Sequence, residues 1–320
     1  MRLLINIFCI ICLFIGFDLV GQDPVEAQIN GEKEATAYEK TNSAYFLIEA
    51  SKFVFLADYD QALVHLDKAL ELDKKNHAAL FKKAEILVAQ EKFKEALAAT
   101  EQAIELQKEN KYYYLLAAQI HKAQNEISQS ADMYHLMISQ VQGWELYGEE
   151  IVDTFTEAQE YDAALALMPR LLIYYPNYPE LYLKKAELEI ALKMKSASIS
   201  TLAEGYAKFP EDPTILSAYV QELTKNGSRA EAVSLLQRPA EIDYKARLLL
   251  LDLLSQEKEL EQIESLVLQT FEDEEADLES KLLAMGYLLE TNQGNANQID
   301  SLQQTLVASN PENPLVYENG

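Results

Sequence analysis

Only two cysteines occur in the 320 residues, Cys9 and Cys12. Both lie in the first apolar stretch, so a chain cut after it has no disulfide and no thiol nucleophile. Glycine and proline are scarce too, at 10 and 9 residues. A long chain so poor in breakers reads as helical rather than β-rich. No G-x-S-x-G, P-loop, G-x-G-x-x-G or H-E-x-x-H is present. That removes the nucleophile elbow, the two phosphate-binding turns and the helical zinc pair. The four histidines, at 65, 77, 121 and 135, form no i, i+4 pair, and read as surface or groove residues rather than metal ligands. No metal, cofactor or catalytic constellation is expected, and the chain reads as not an enzyme.

Positive charge is short as well. Lys and Arg number 27 against 52 Asp and Glu, a net charge of −25. Nucleic-acid binding depends on cations that displace counterions, so a nucleic-acid partner is excluded. Anionic membrane surfaces would repel the same charge. A basic or neutral partner fits better. The densest acidic run, "EDEEAD" at 272–277, lacks the alternating oxygen spacing of a calcium loop,. It reads as a solvated segment between helices.

Long apolar runs are confined to the start. In "MRLLINIFCIICLFIGFDLVG", residues 1–21, a positive end precedes an apolar run over 3–17 that only Asn6 interrupts. Fifteen residues at about 1.5 Å each fall short of a bilayer core of roughly 30 Å. The layout suits a secretory signal, cut after Gly21 or as late as Ala27. Residues 22–42 would follow as an N-terminal segment. The expected location is periplasmic or secreted, with no membrane insertion of the mature chain. An uncleaved N-terminal helix acting as an anchor is the alternative. Bulky residues precede both cysteines, which argues against a lipid-modified cysteine.

What is present is a repeat. "YDQALVHLDKALELDKKN" at 59–76 has the outline of "FKEALAATEQAIELQKEN" at 93–110. Steps of 34 give Ala62, Ala96, Ser130, Ala164, Ser198 and Ala232. A second series is Ala50, Ala84, Ala118, Val152, Ala186 and Val220, and a third is Phe46, Leu80, Tyr114, Gly148, Tyr182 and Leu216. The small residues belong where two helices cross closely, with bulky neighbours such as Leu66, Tyr134 and Met168 filling the space beside them. Proline pairs in "YPNYPEL", "FPEDPTI" and "NPENPLV" end one helix and start the next,. "KNGS" at 225–228 and "TNQGN" at 291–295 fall at the turn inside a unit, where glycine supplies positive φ. Trp144 reads as a packing anchor.

A 34-residue helix–turn–helix period with these small and bulky positions resembles the tetratricopeptide repeat. The resemblance covers residues 43–313, with units counted from 43, 77, 111, 145, 179 and 213, a degenerate seventh near 244–272 and an eighth near 280–313. Residues 314–320 remain as a tail. It implies an all-α fold, a right-handed α-solenoid of about eight units with a concave inner face. It also implies that ligands lie along the first helix of each unit. The candidate contact residues are then Leu47, Ile48 and Phe55 of the first unit; Phe81 and Lys82 of the second; and Tyr112, Leu115, Leu116 and Gln119 of the third. The fourth unit offers Glu149, Glu150 and Asp153, together with Glu157, as carboxylates with no cation among them. A groove of this kind suits an amphipathic or basic peptide. The carboxylate clamp used by some relatives is not expected, since only Lys82 among its positions is basic. The expected function is therefore an exported scaffold or adaptor that binds a protein or peptide. The alternative is a structural subunit of a cell-envelope assembly, contacted through the convex face or the array ends.

Overall fold

The computed structural model describes residues 35–256, 260–291 and 296–317. The expected signal segment and residues 22–34 lie outside these, as do most of "TNQGN" and residues 318–320. Sixteen α-helices run through the described residues, with no strand among them. They pair into eight hairpins, each with a first (A) and a second (B) helix. The first three are α1 (Ala37–Phe55) with α2 (Tyr59–Leu72), α3 (His77–Ala89) with α4 (Phe93–Leu106), and α5 (Lys111–Ala123) with α6 (Ile127–Gln140). A 3-10 turn over Trp144–Tyr147 leads into α7 (Gly148–Glu157), which pairs with α8 (Tyr161–Tyr174). Then come α9 (Glu180–Ala191) with α10 (Lys195–Lys208) and α11 (Pro213–Lys225) with α12 (Arg229–Ile242). The last two are α13 (Tyr244–Ser255) with α14 (Leu260–Glu272) and α15 (Leu278–Glu290) with α16 (Ala296–Ser309). The fold is the expected all-α array of hairpins.

Two compact units divide the chain, one ending at Ala79 and one starting at Leu80. In the first, Thr36 opens α1 with a capping box. Its hydroxyl accepts from the Glu39 N–H, while the Glu39 carboxylate accepts from the Thr36 N–H,. The α1–α2 crossing is held by Ala50 and Ala62, both fully buried. His65 stacks on Phe53 with ring centroids 5.0 Å apart. Buried Ser43 donates to the Ala69 carbonyl and accepts from Asn76 Nδ2, each at 2.8 Å.

The second unit carries the same logic through seven hairpins. Ala84, Ala118, Val152, Ala186 and Val220 on the A helices are buried, as are Ala96, Ser130, Ala164, Ser198 and Ala232 on the B helices. Bulky Tyr134, Met168, Leu202 and Leu236 close the core beside them. Thr100 takes the same place in α4 and turns its hydroxyl to the Ala96 carbonyl at 2.8 Å, so it is buried without an orphaned donor,. Trp144 is 2% exposed, with the Arg170 guanidinium 5.0 Å above its ring. It is a packing anchor, as expected. The proline pairs punctuate as expected: α10 ends before Pro210, and Pro213 is the first residue of α11. "EDEEAD" spans the end of α14 and the link to α15.

The turn inside each hairpin repeats its own signature. Ala57, Glu91, Asn125, Gln159, Lys193 and Gly227 all have positive φ, between 58° and 83°, at steps of 34. Around each, two hydrogen bonds close a Schellman cap. At Gln159, its N–H reaches the Thr156 carbonyl at 3.0 Å, and the Glu160 N–H reaches the Phe155 carbonyl at 2.7 Å,. The bonds around Ala57, Glu91, Asn125, Lys193 and Gly227 have the same spacing. This cap, rather than the side chain in it, sets the length of the A helix.

Candidate functional site

Cross-links between consecutive A helices build one continuous wall from α5, α7 and α9. The Lys111 ammonium lies 5.4 Å from the ring centroids of both Tyr112 and Tyr147. Lys122 on α5 pairs with Glu157 on α7 at 3.0 Å. Lys184 on α9 pairs with Asp153 on α7 at 2.8 Å. These contacts place the first-helix positions of three hairpins side by side.

On this wall Tyr112 is half-buried beside Tyr147. Burial first, then Tyr112 and Glu150 nearby, push the Tyr147 phenol up. Leu116 and Gln119 are half-buried, whereas Leu115 is 8% exposed and belongs to the core around Tyr134 and Ile151. Of the two leucines, Leu116 and not Leu115 is open to solvent on this wall. Upstream on α3, the Phe81 ring packs 4.9 Å from Tyr113, and Lys82 pairs with Glu85 at 2.6 Å.

The fourth hairpin's carboxylates are not the bare acidic set that the sequence suggests. Asp153 and Glu157 have the lysine partners just named, supplied by the hairpins on either side. Glu150 accepts from the Tyr134 hydroxyl at 2.8 Å. Burial, with Glu150 beside it, pushes the Tyr134 phenol well up, so it stays a donor,. The hydrogen bond to Asp153 raises the Lys184 ammonium. Glu149 remains exposed in the first turn of α7, where the helix dipole favours it,. In the first unit, Leu47 is half-buried, Ile48 is 50% exposed and Phe55 is 90% exposed.

A second feature lay beyond the sequence reading. A cleft of about 550 Å³ opens among α11, α13 and α15. Its apolar lining includes Leu216, Leu248, Leu249 and Leu283, and its polar lining includes Asp243, Lys245, Asp252, Asp277 and Tyr287. Asp243 and Asp277 cap α13 and α15, accepting from the Lys245 and Ser280 N–H groups at 2.9 and 2.8 Å,. The bond from Ser280, helped by Lys245, holds the Asp277 carboxyl below the usual range. Burial, with Asp252 beside it, pushes the Tyr287 phenol up to about 12.

Two histidines sit in specific contacts. His121 is largely buried against Glu126 at 2.8 Å, and exposed His135 stacks on Phe155 and meets Glu160 at 2.7 Å. Among the described residues no group of three or more His, Cys, Asp and Glu is placed to hold a metal ion. No described helix is long and apolar enough to cross a membrane.

The tetratricopeptide repeat family model matches residues 56–140. A solved structure of Naa15/Naa10 bound to HypK-THB superposes with a TM-score of 0.60 at 13% identity, covering 86% of this chain and 43% of that one. The chain therefore spans less than half of that protein, and the likeness is one of fold. A tetratricopeptide repeat protein from Parabacteroides merdae aligns at 16% identity over 79% of this chain and all of that one, with a TM-score of 0.42. YrrB, described as a TPR protein with an unusual peptide-binding site, aligns at 16% identity over 57% of this chain and 93% of that one, with a TM-score of 0.43. No curated protein matches. Residues 56–140 thus match tetratricopeptide repeats, and the buried small-residue series with one left-handed cap per 34 residues from Ala57 to Gly227 carries the same pattern along the all-α solenoid.

Proposed function

We propose that the chain is a non-catalytic scaffold that binds a protein or peptide along its A helices. The observation that carries this reading is the continuous wall of α5, α7 and α9. It carries half-buried Tyr112, Leu116 and Gln119 on α5 and the exposed carboxylate of Glu149 on α7, near Tyr178 and Lys184. Apolar and aromatic groups on a polar-rimmed helix face suit an amphipathic ligand. Its apolar side would lie toward Phe81, Tyr112 and Leu116, and its basic end toward Glu149. Ile48 and Phe55 are contact candidates of the first unit on their own account. The sequence of residues 1–21 supports export to a periplasm or the exterior, so the partner is sought there.

A second reading, an envelope structural subunit gripped from outside, draws on Ile173 and Ile242. These stand 80% and 83% exposed near the ends of α8 and α12. A photocrosslinking residue placed in turn at Glu149 and at Ile173 separates the two. Partner adducts at Glu149 that Leu116→Ser abolishes support the wall. Adducts at Ile173 alone support the outer surface and contradict the wall.

A further inference from the structure

We propose that the cleft among α11, α13 and α15 is a second docking site, and that it takes an apolar protein segment bearing a lysine or arginine. The proposal deepens the scaffold reading and rests on it, but it uses other hairpins and other residues.

The cleft combines two independent features. Its volume, about 550 Å³, falls in the range of ligand sites,. Leucines line it, and one of them, Leu283, is 48% exposed on α15. Its polar groups are unbalanced: Asp243, Asp252 and Asp277 face a single cation, Lys245. Asp243 uses one oxygen on the Lys245 N–H and has acceptor capacity left, whereas Asp277 takes both the backbone and the side chain of Ser280,. Tyr287 lies 3.4 Å from Asp252, a long contact that a stronger donor could replace,. Lys245 makes no ion pair within 4.0 Å among the described residues; its ammonium lies 5.9 Å from the centroid of the Tyr244 ring. A ligand cation would therefore meet three carboxylates against one lysine, which acts on Asp277 only at a distance, while its apolar neighbours replaced water on the leucines,.

The test uses the full chain and two labelled probes of matched length, one alternating leucine with lysine and one alternating leucine with glutamate, read by fluorescence anisotropy. The lysine probe should bind and the glutamate probe should not. Asp252→Asn and Asp277→Asn should each weaken the lysine probe by about fivefold. Asparagine keeps the cap at position 277, so the loss would report charge and not unfolding. Lys245→Glu should tighten the same probe, a gain that a damaged fold cannot produce. Leu283→Ser should weaken it, and the losses at the cleft variants should persist in a Glu149→Gln background that weakens the wall. Equal binding of both probes, or affinity insensitive to the cleft variants, overturns the site. If affinity follows Glu149→Gln instead, the cleft fails while the wall reading stands.

Discussion

Gly205 of α10 lies against Tyr182 of α9 so closely that an added Cβ would sit 2.9 Å from the tyrosine Cβ. One hairpin earlier the sizes are exchanged. Gly148 opens α7, and the side chain of Leu171 on α8 fills the space its Cβ would take, with the nearest carbon at 2.2 Å. Glycine answers a bulky partner in both hairpins, on opposite helices.

This exchange predicts strong coupling. Gly205→Leu alone should overpack against Tyr182 and cost about 1–3 kcal/mol. Tyr182→Gly alone should leave a cavity and cost about 3–5 kcal/mol. The double variant recreates the arrangement of the preceding hairpin, so it should cost less than the sum by about 1–3 kcal/mol. Chemical denaturation of the four proteins measures the cycle, and strict additivity would contradict the pairing.

The left-handed caps make a prediction of opposite sign. Glu91 and Gln159 have φ of 59° and 61°, a conformation unfavourable to a residue with a Cβ,. Glu91→Gly and Gln159→Gly should each stabilise by up to about 1 kcal/mol, while Gly227→Ala should destabilise by about 1 kcal/mol. Thermal melts check the signs. A loss of stability at both glycine variants would mean that the side chains, not the caps, hold these turns.

Arg247 is a buried cation with a defined task. It is 4% exposed, donates to the Ala240 carbonyl at 2.9 Å and pairs with Asp273 at 3.2 Å. Arg247→Met should cost about 2–4 kcal/mol, because the carbonyl and part of a carboxylate lose their donors. Arg247→Lys should recover only part of it, since a point charge cannot reproduce the fork. Denaturation midpoints of the two variants test the order.

Two phenols are held protonated by burial. Tyr113 and Tyr287 are each pushed up to about 12 from an ordinary value of 10.0. Folded values above the unfolded ones contribute stability fully below pH 10 and lose it as pH rises toward 12. Tyr287→Phe should therefore lessen the alkaline fall in stability and remove one late step from the tyrosinate absorbance titration. An unchanged titration would contradict the burial at that site.

The architecture was legible because each crossing needs a small residue every 34 positions, and the two series from Ala50 and Ala62 write that need openly. The caps were not. Ala57, Glu91, Gln159 and Lys193 are ordinary residues forced into left-handed geometry by the stacking around them, and only Gly227 and Asn125 carry a local signal,. Leu115 was misplaced because a position rule cannot sense how far the neighbouring hairpin closes over it. The carboxylates of α7 looked uncompensated because Lys122 and Lys184 come from other hairpins. The cleft escaped because the inner positions are read only through the fourth unit, and the degenerate seventh, whose α13 begins 31 and not 34 residues after α11, carries no such count.

The central claim is that stability is built hairpin by hairpin in a fixed period. Deleting residues 161–194 removes one whole period between the turns at Gln159 and Lys193; deleting 161–177 removes half of one. Circular dichroism melts of both, beside the intact chain, test the claim directly. The whole-period deletion should keep cooperative unfolding and the same helicity per residue, whereas the half-period deletion should lose both. Equal damage from the two deletions would contradict it.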